Sequence, residues 1–150
     1  MEEAVFSEEF FMKEALKEAL RAFDQEEIPV GAVVASNNRI IARAHNMTQQ
    51  LQDITAHAEM IAITAASNFL GSKYLSSCTL YVTLEPCLMC ASALRWAQLD
   101  RLVYGASDPR EGYTRIRERI LHPKTRVLPG IMDVESLNLL QEFFRSRRKD

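Results

Sequence analysis

Residues 79–90 read T-L-Y-V-T-L-E-P-C-L-M-C, and the join at Glu85-Pro86 decides how the chain is built. Before it, Leu80, Val82 and Leu84 alternate with Thr79, Tyr81 and Thr83, the period of a strand. After it, a proline in a first helical turn sacrifices no intrahelical hydrogen bond, which predicts a helix from Cys87 to Gln98. Cys87 and Cys90 then lie three apart on one helix face, close to free backbone N–H groups that favour thiolate over thiol.

Working outward, R-L-V-Y-G-A at 101–106 predicts the next strand, parallel to the first through the helix between them. Upstream, residues 8–26 form an amphipathic helix with Ser7 as N-cap and Met12, Leu16, Ala19, Leu20 and Phe23 along one stripe. I-P-V-G-A-V-V-A-S at 28–36 is a short buried strand, and Asn37-Asn38 tolerates the positive φ of a tight turn into a second strand, 39–44. A polar loop with three glutamines covers 46–54, and a helix follows over 56–68, closed by Gly71. Residues 125–129 predict a fifth strand and 134–148 a final helix, with a short helix around 115–121. The pattern is a mixed five-stranded sheet between layers of helices, an α/β fold in one domain spanning residues 1–150.

Composition agrees with a globular chain: 47% hydrophobic and 25% charged residues across 150 positions. No apolar run approaches the roughly 18–20 residues that span a bilayer. The acidic start M-E-E-A-V-F-S-E-E-F has no basic region followed by an apolar block, so no secretory signal is expected and a cytoplasmic location is. In that compartment three cysteines imply metal or redox chemistry rather than disulfides. The net charge of −2 is unevenly spread, since residues 95–150 carry twelve basic and eight acidic side chains and end in F-F-R-S-R-R-K-D. That end is either a solvated helix terminus or an edge that meets phosphates.

A redox pair normally follows the first strand of its fold, whereas this C-x-x-C follows the third, so metal binding is the better reading. Structural zinc fills all four positions with cysteine or histidine. Cys78 would lie at the far end of the strand leading to Cys87, and His45 and His122 stand outside ligand spacing. The partner that fits is His57 in T-A-H-A-E-M, 55–60, at the start of its own helix. His57, Cys87 and Cys90 leave a fourth zinc position for water, the catalytic pattern. Glu59 is then placed to move that water's proton, since both His57 and Glu59 can project past a helix tip. Ala58 between them is small enough to leave its backbone near the pocket. Glu85 is given loop support and no chemistry.

H-A-E followed by P-C-L-M-C is the pattern of zinc nucleobase deaminases. Together with I-P-V-G-A-V-V, A-H-N at 44–46, L-V-Y-G-A-S-D at 102–108 and F-F-R-S-R-R, it makes the chain resemble the bacterial tRNA-specific adenosine deaminases from Phe10 to Lys149. The resemblance implies the cytidine deaminase-like three-layer α/β/α fold, one Zn2+ per chain, a homodimer and a tRNA partner. It implies hydrolysis of adenosine to inosine at the anticodon wobble position, with ammonia leaving from C6. By the same resemblance His57, Cys87 and Cys90 are the ligands and Glu59 the proton shuttle. Asn46, Val30, Pro29 and Ala58 would meet the nucleoside, and Asp108 would lie near the RNA backbone. Arg110, Phe144, Arg145, Arg147 and Arg148 would border the RNA, with at least one of Phe143 and Phe144 anchoring the last helix on the core; Arg115, in the stretch where the chain departs from the family, is a further candidate for RNA contact. The chain departs from the family at 112–119, where G-Y-T-R-I-R-E-R replaces a stretch of small residues. Two other functions compete: deamination of a free nucleoside, nucleotide or base (cytidine, deoxycytidylate or guanine), and a non-catalytic zinc-stabilised RNA-binding module.

Overall fold

In the computed structural model, which describes residues 6–148, five strands form one sheet in the order β2-β1-β3-β4-β5. The strands are β1 Gly31–Ser36, β2 Arg39–His45, β3 Thr79–Leu84, β4 Arg101–Ala106 and β5 Arg126–Leu128. β1 pairs antiparallel with β2 and β3, while β3–β4 and β4–β5 are parallel, so the sheet is mixed as expected. The helices are α1 Glu8–Asp24, α2 Thr48–Leu51, α3 Ala58–Leu70, α4 Leu88–Trp96 and α5 Asp133–Arg148. The side chain of Arg148, a sequence candidate for RNA contact, lies outside the described residues. Among the described residues no helix is long and apolar enough to cross a membrane.

Strand alternation is what makes three layers. Ala32, Val34, Leu80, Val82 and Leu102 point to the face covered by Ala58, Ala62 and Ala66 of α3 and Ala91 and Leu94 of α4. Val33, Ala35, Tyr81 and Val103 point to the other face and pack on Phe11, Met12 and Ala15 of α1. α5 lies beside α1, with the Phe143 ring edge-on to Phe23 at 5.9 Å. Ser7 caps α1 as predicted, accepting from the Phe10 N–H at 3.1 Å.

Several elements differ from the sequence reading, and the larger differences have local reasons. β1 begins at Gly31 because Val30 donates to the Ile28 carbonyl at 2.8 Å, a three-residue turn centred on Pro29. α3 begins at Ala58 and α4 at Leu88, so His57 and Cys87 are N-caps in extended conformation and Pro86 stands one residue ahead of its helix. The glutamine loop contains α2, whose start is tied to Glu27: the carboxylate accepts from the N–H groups of Gln49 and Gln50 at 3.1 and 2.8 Å. Finally, the helix expected at 115–121 is a single 3-10 turn, Tyr113–Arg115, followed by irregular chain.

Candidate active site

Two helix tips make the site. An N-cap side chain ordinarily turns back to accept from its own helix, but His57 and Cys87 make no such bond. Both point instead at a common centre, which Cys90 reaches from the first turn of α4. His57 Nδ1 stands 3.7 Å from Cys87 Sγ and 3.5 Å from Cys90 Sγ, and all three ligand atoms lie within 4.8 Å of one another. Tetrahedral zinc with bonds of about 2.3 Å to sulfur and about 2.0–2.1 Å to nitrogen requires N···S edges of about 3.6 Å. One imidazole and two thiols at this spacing therefore fit zinc.

Charge is tightly shared in the cluster. Cys87 is pushed down to about 4, chiefly because its thiolate accepts a hydrogen bond from Cys90, with His57 adding to the effect. Cys90 is pushed up as the donor of that bond and by its burial. The bond to Cys87 also holds the His57 imidazolium above its ordinary range. Glu59 is 4% exposed at the second position of α3, and burial pushes its carboxyl up to about 7.

These residues open onto a cavity of about 440 Å³, lined also by Ile28, Val30, Asn46, Ala58, Glu85, Met89, Asp108 and Glu111. Of the residues named from the sequence, Val30, Asn46, Ala58 and Asp108 line this cavity. Pro29 is buried and is not among the lining residues, whereas its neighbour Ile28 is. The Asn46 side chain is buried and has no protein hydrogen-bond partner among the described residues. Asp108 Oδ1 accepts from the N–H groups of Arg110 and Glu111, both at 3.0 Å, so this carboxylate shapes its own loop.

The arginines fall into two groups. Arg110 and Arg115 are exposed on the loop that supplies Asp108, with the Arg115 guanidinium on the Arg110 carbonyl. Arg147 stacks on Phe143 at 4.4 Å and donates to the Glu26 carbonyl at 2.6 Å, which brings the end of α5 to the segment leading into Ile28. Arg145 pairs with Glu142 at 3.0 Å. Phe143 is buried and Phe144 is 42% exposed, so one phenylalanine anchors the helix and the other faces out. Sequence reasoning missed Ile28, Met89 and Glu111 on the cavity wall. Met89 lies between the two cysteines, so the motif itself brings it near the cluster, whereas Glu111 depends on a turn that no periodicity reveals.

Fold and cluster together define a class, the zinc-binding deaminases, and the comparisons with known proteins agree. A family model for the cytidine and deoxycytidylate deaminase zinc-binding region matches residues 6–106. A tRNA-specific adenosine deaminase of Agrobacterium fabrum is 43% identical over 145 residues, covering 93% of this chain and 95% of that one. A solved structure from studies of A-to-I editing by tRNA:A34 deaminases at the wobble position superposes with a TM-score of 0.82 and 41% identity, covering 87% and 98% of the two chains. A guanine deaminase from Bacillus subtilis is similar over less, with a TM-score of 0.65, 38% identity, and 68% and 66% covered. The chain belongs to the cytidine and deoxycytidylate deaminase family and, within it, to the tRNA-specific adenosine deaminases. It is a zinc-dependent hydrolytic enzyme.

Proposed function

We propose that the enzyme converts adenosine to inosine at the wobble position of a tRNA anticodon, releasing ammonia. The observation that carries the reading is the pair of 3.5 and 3.7 Å contacts from His57 to the two cysteines, with a buried Glu59 two residues away. His57, Cys87 and Cys90 would hold zinc, which when bound acts as a Lewis acid and makes water a nucleophile near neutral pH. Glu59 takes a proton from the attacking water on a carboxylate oxygen and returns it to the purine as the amine departs. Burial raises the Glu59 carboxyl above its ordinary range, which favours the return of the proton as well as its uptake.

The remaining residues orient the substrate. Asn46 offers its unpartnered amide to the nucleoside, while Val30 and Ala58 wall the base. The cavity is within the roughly 300–1,000 Å³ typical of small-ligand sites, so it takes one nucleoside and leaves the rest of an RNA outside. Arg110 and Arg115 supply cations on the loop that brings Asp108 and Glu111 to the cavity, and α5, tied by Arg147 to the Glu26 carbonyl, adds Arg145 and exposed Phe144. Those features support RNA over a free nucleobase. We further propose a cytoplasmic location and a homodimer, the latter supported by the exposed apolar side chains Trp96, Phe69 and Leu88.

The rival substrate is a free base, favoured by the likeness to guanine deaminase. Incubation with total tRNA followed by inosine mapping, beside parallel assays on guanine, cytidine and deoxycytidylate, separates the two. Inosine is expected at the wobble adenosine and is lost in Glu59→Ala with zinc retained. Turnover of a free base without inosine in RNA overturns the proposal.

A further inference from the structure

We propose that Glu85, which plays no part in the chemistry above, is a positioning residue that builds the cavity wall formed by residues 108–114. The inference rests on the deaminase reading of the site. Glu85 is 3% exposed and stands between the end of β3 and the turn that delivers Cys87. Its carboxylate collects three donors from the facing loop. Oε1 accepts from the Asp108 N–H at 3.0 Å, and Oε2 accepts from the N–H and the hydroxyl of Thr114 at 3.0 and 2.8 Å. The backbone reinforces the junction, with Glu85 donating to the Ala106 carbonyl at 2.8 Å and Tyr113 to the Pro86 carbonyl at 3.0 Å.

Gly112 lies directly over this carboxylate, in an isolated antiparallel bridge to Cys87. A Cβ there would run into the Glu85 carboxyl group and the Asp108 carbonyl. The loop thus approaches the metal-site turn as closely as a missing side chain allows, and the carboxylate holds it there. Every group facing Glu85 in these bonds is a donor, so both of its oxygens serve as acceptors. Its effect on the reaction passes through the loop, which presents Asp108 and Glu111 to the cavity and carries Arg110 and Arg115. This is where the RNA around the target nucleotide would rest.

An amide cannot replace the carboxylate, because one end of Gln would point N–H groups at an N–H donor. Glu85→Gln should keep zinc at one per chain and keep the protection of the β3 amides. Hydrogen exchange at the Asp108 and Thr114 amides should quicken by about tenfold or more, the scale of one lost charge-assisted bond. On an RNA hairpin carrying the anticodon loop, KM should rise about tenfold while kcat stays within about threefold. Thr114→Val removes only the hydroxyl donor and should raise KM by about threefold; it carries the test alone should Glu85→Gln fail to fold. Unchanged exchange at 108 and 114, or a fall in kcat with KM unmoved, overturns the proposal, as does loss of zinc from both variants. If the wild-type enzyme makes no inosine in RNA, the substrate reading has failed, and the exchange rates still decide the role of Glu85.

Discussion

Glu59 occupies a place where a carboxylate is poorly solvated, and the consequence can be measured apart from catalysis. Its carboxyl moves from 4.5 to about 7, with burial as the leading cause and the neighbouring His57 only partly compensating. A raised carboxyl means that the folded chain binds more protons than the unfolded one between those two values, so stability falls as pH rises through the window. At 1.36 kcal/mol per unit the penalty reaches about 3 kcal/mol above pH ~7 in protein stripped of its metal. Glu59→Gln removes the charge and keeps the shape. Urea unfolding of chelated protein should therefore show the variant more stable than wild type by up to about 3 kcal/mol at pH ~8, with the difference fading toward pH ~4.5. Equal stabilities at the higher pH would show that Glu59 carries no burial penalty. Bound zinc places a cation beside the carboxylate and reduces that penalty, so the gap should narrow in loaded protein. The ligands and Glu59 were legible in the sequence because zinc chemistry restricts both residue type and spacing. Asn46 and Val30 were reached through resemblance, since nothing in their local pattern distinguishes a cavity wall from an ordinary loop or strand.

Between α1 and β1 the deciding residue is Gly31, which pairs with His45 in the sheet and donates to Thr83 Oγ1 at 3.2 Å. A Cβ at this position would overlap the Ala15 carbonyl and the Ala19 nitrogen, both helix backbone, so no rotamer change can relieve it. Gly31→Ala should cost more than about 3 kcal/mol in denaturant unfolding, because α1 must move off the sheet. Gly71 is the control: it closes α3 at φ +65° with open space around it, and its replacement by Ala should cost only about 1 kcal/mol. Similar losses at the two sites would mean that α1 tolerates displacement. Strand identity was readable from alternation, and the mixed sheet followed from strands separated by helices. The starts of α3 and α4 were not, because His57 and Cys87 forgo the capping bonds that mark a boundary and spend their side chains on the cluster. α2 escaped notice for a related reason. Its four residues are set by Glu27, more than twenty positions upstream, and local propensity carries no trace of that partner. The same holds at 113–115, where the turn follows from contacts with Pro86 and Glu85 rather than from its own sequence.

At the scale of the whole molecule the metal acts as a cross-link. His57 caps α3 and follows the β1–β2 hairpin, whereas Cys87 caps α4 and Cys90 lies in its first turn, after β3, so one ion joins two segments thirty residues apart. Since the ligand geometry exists only when the sheet has brought the two tips together, zinc binds the folded state in preference to the unfolded one. Linkage then gives about 4 kcal/mol of added stability at free zinc near 1,000 times Kd. For a chain of this size that is a rise in Tm of about 10 °C over chelated protein. Thermal melts across a series of buffered zinc concentrations should show Tm climbing with the logarithm of free zinc, and Cys90→Ser should flatten the curve. Acidification should flatten it too. His57 is held above the ordinary imidazole range by its bond to Cys87, so protons compete with zinc for the imidazole as pH falls through that raised value. The zinc-dependent part of Tm should accordingly be full in mildly alkaline buffer and shrink progressively below neutrality. A Tm that ignores zinc at every pH would mean that the two helix tips meet without help from the ion and that the cluster contributes to catalysis alone.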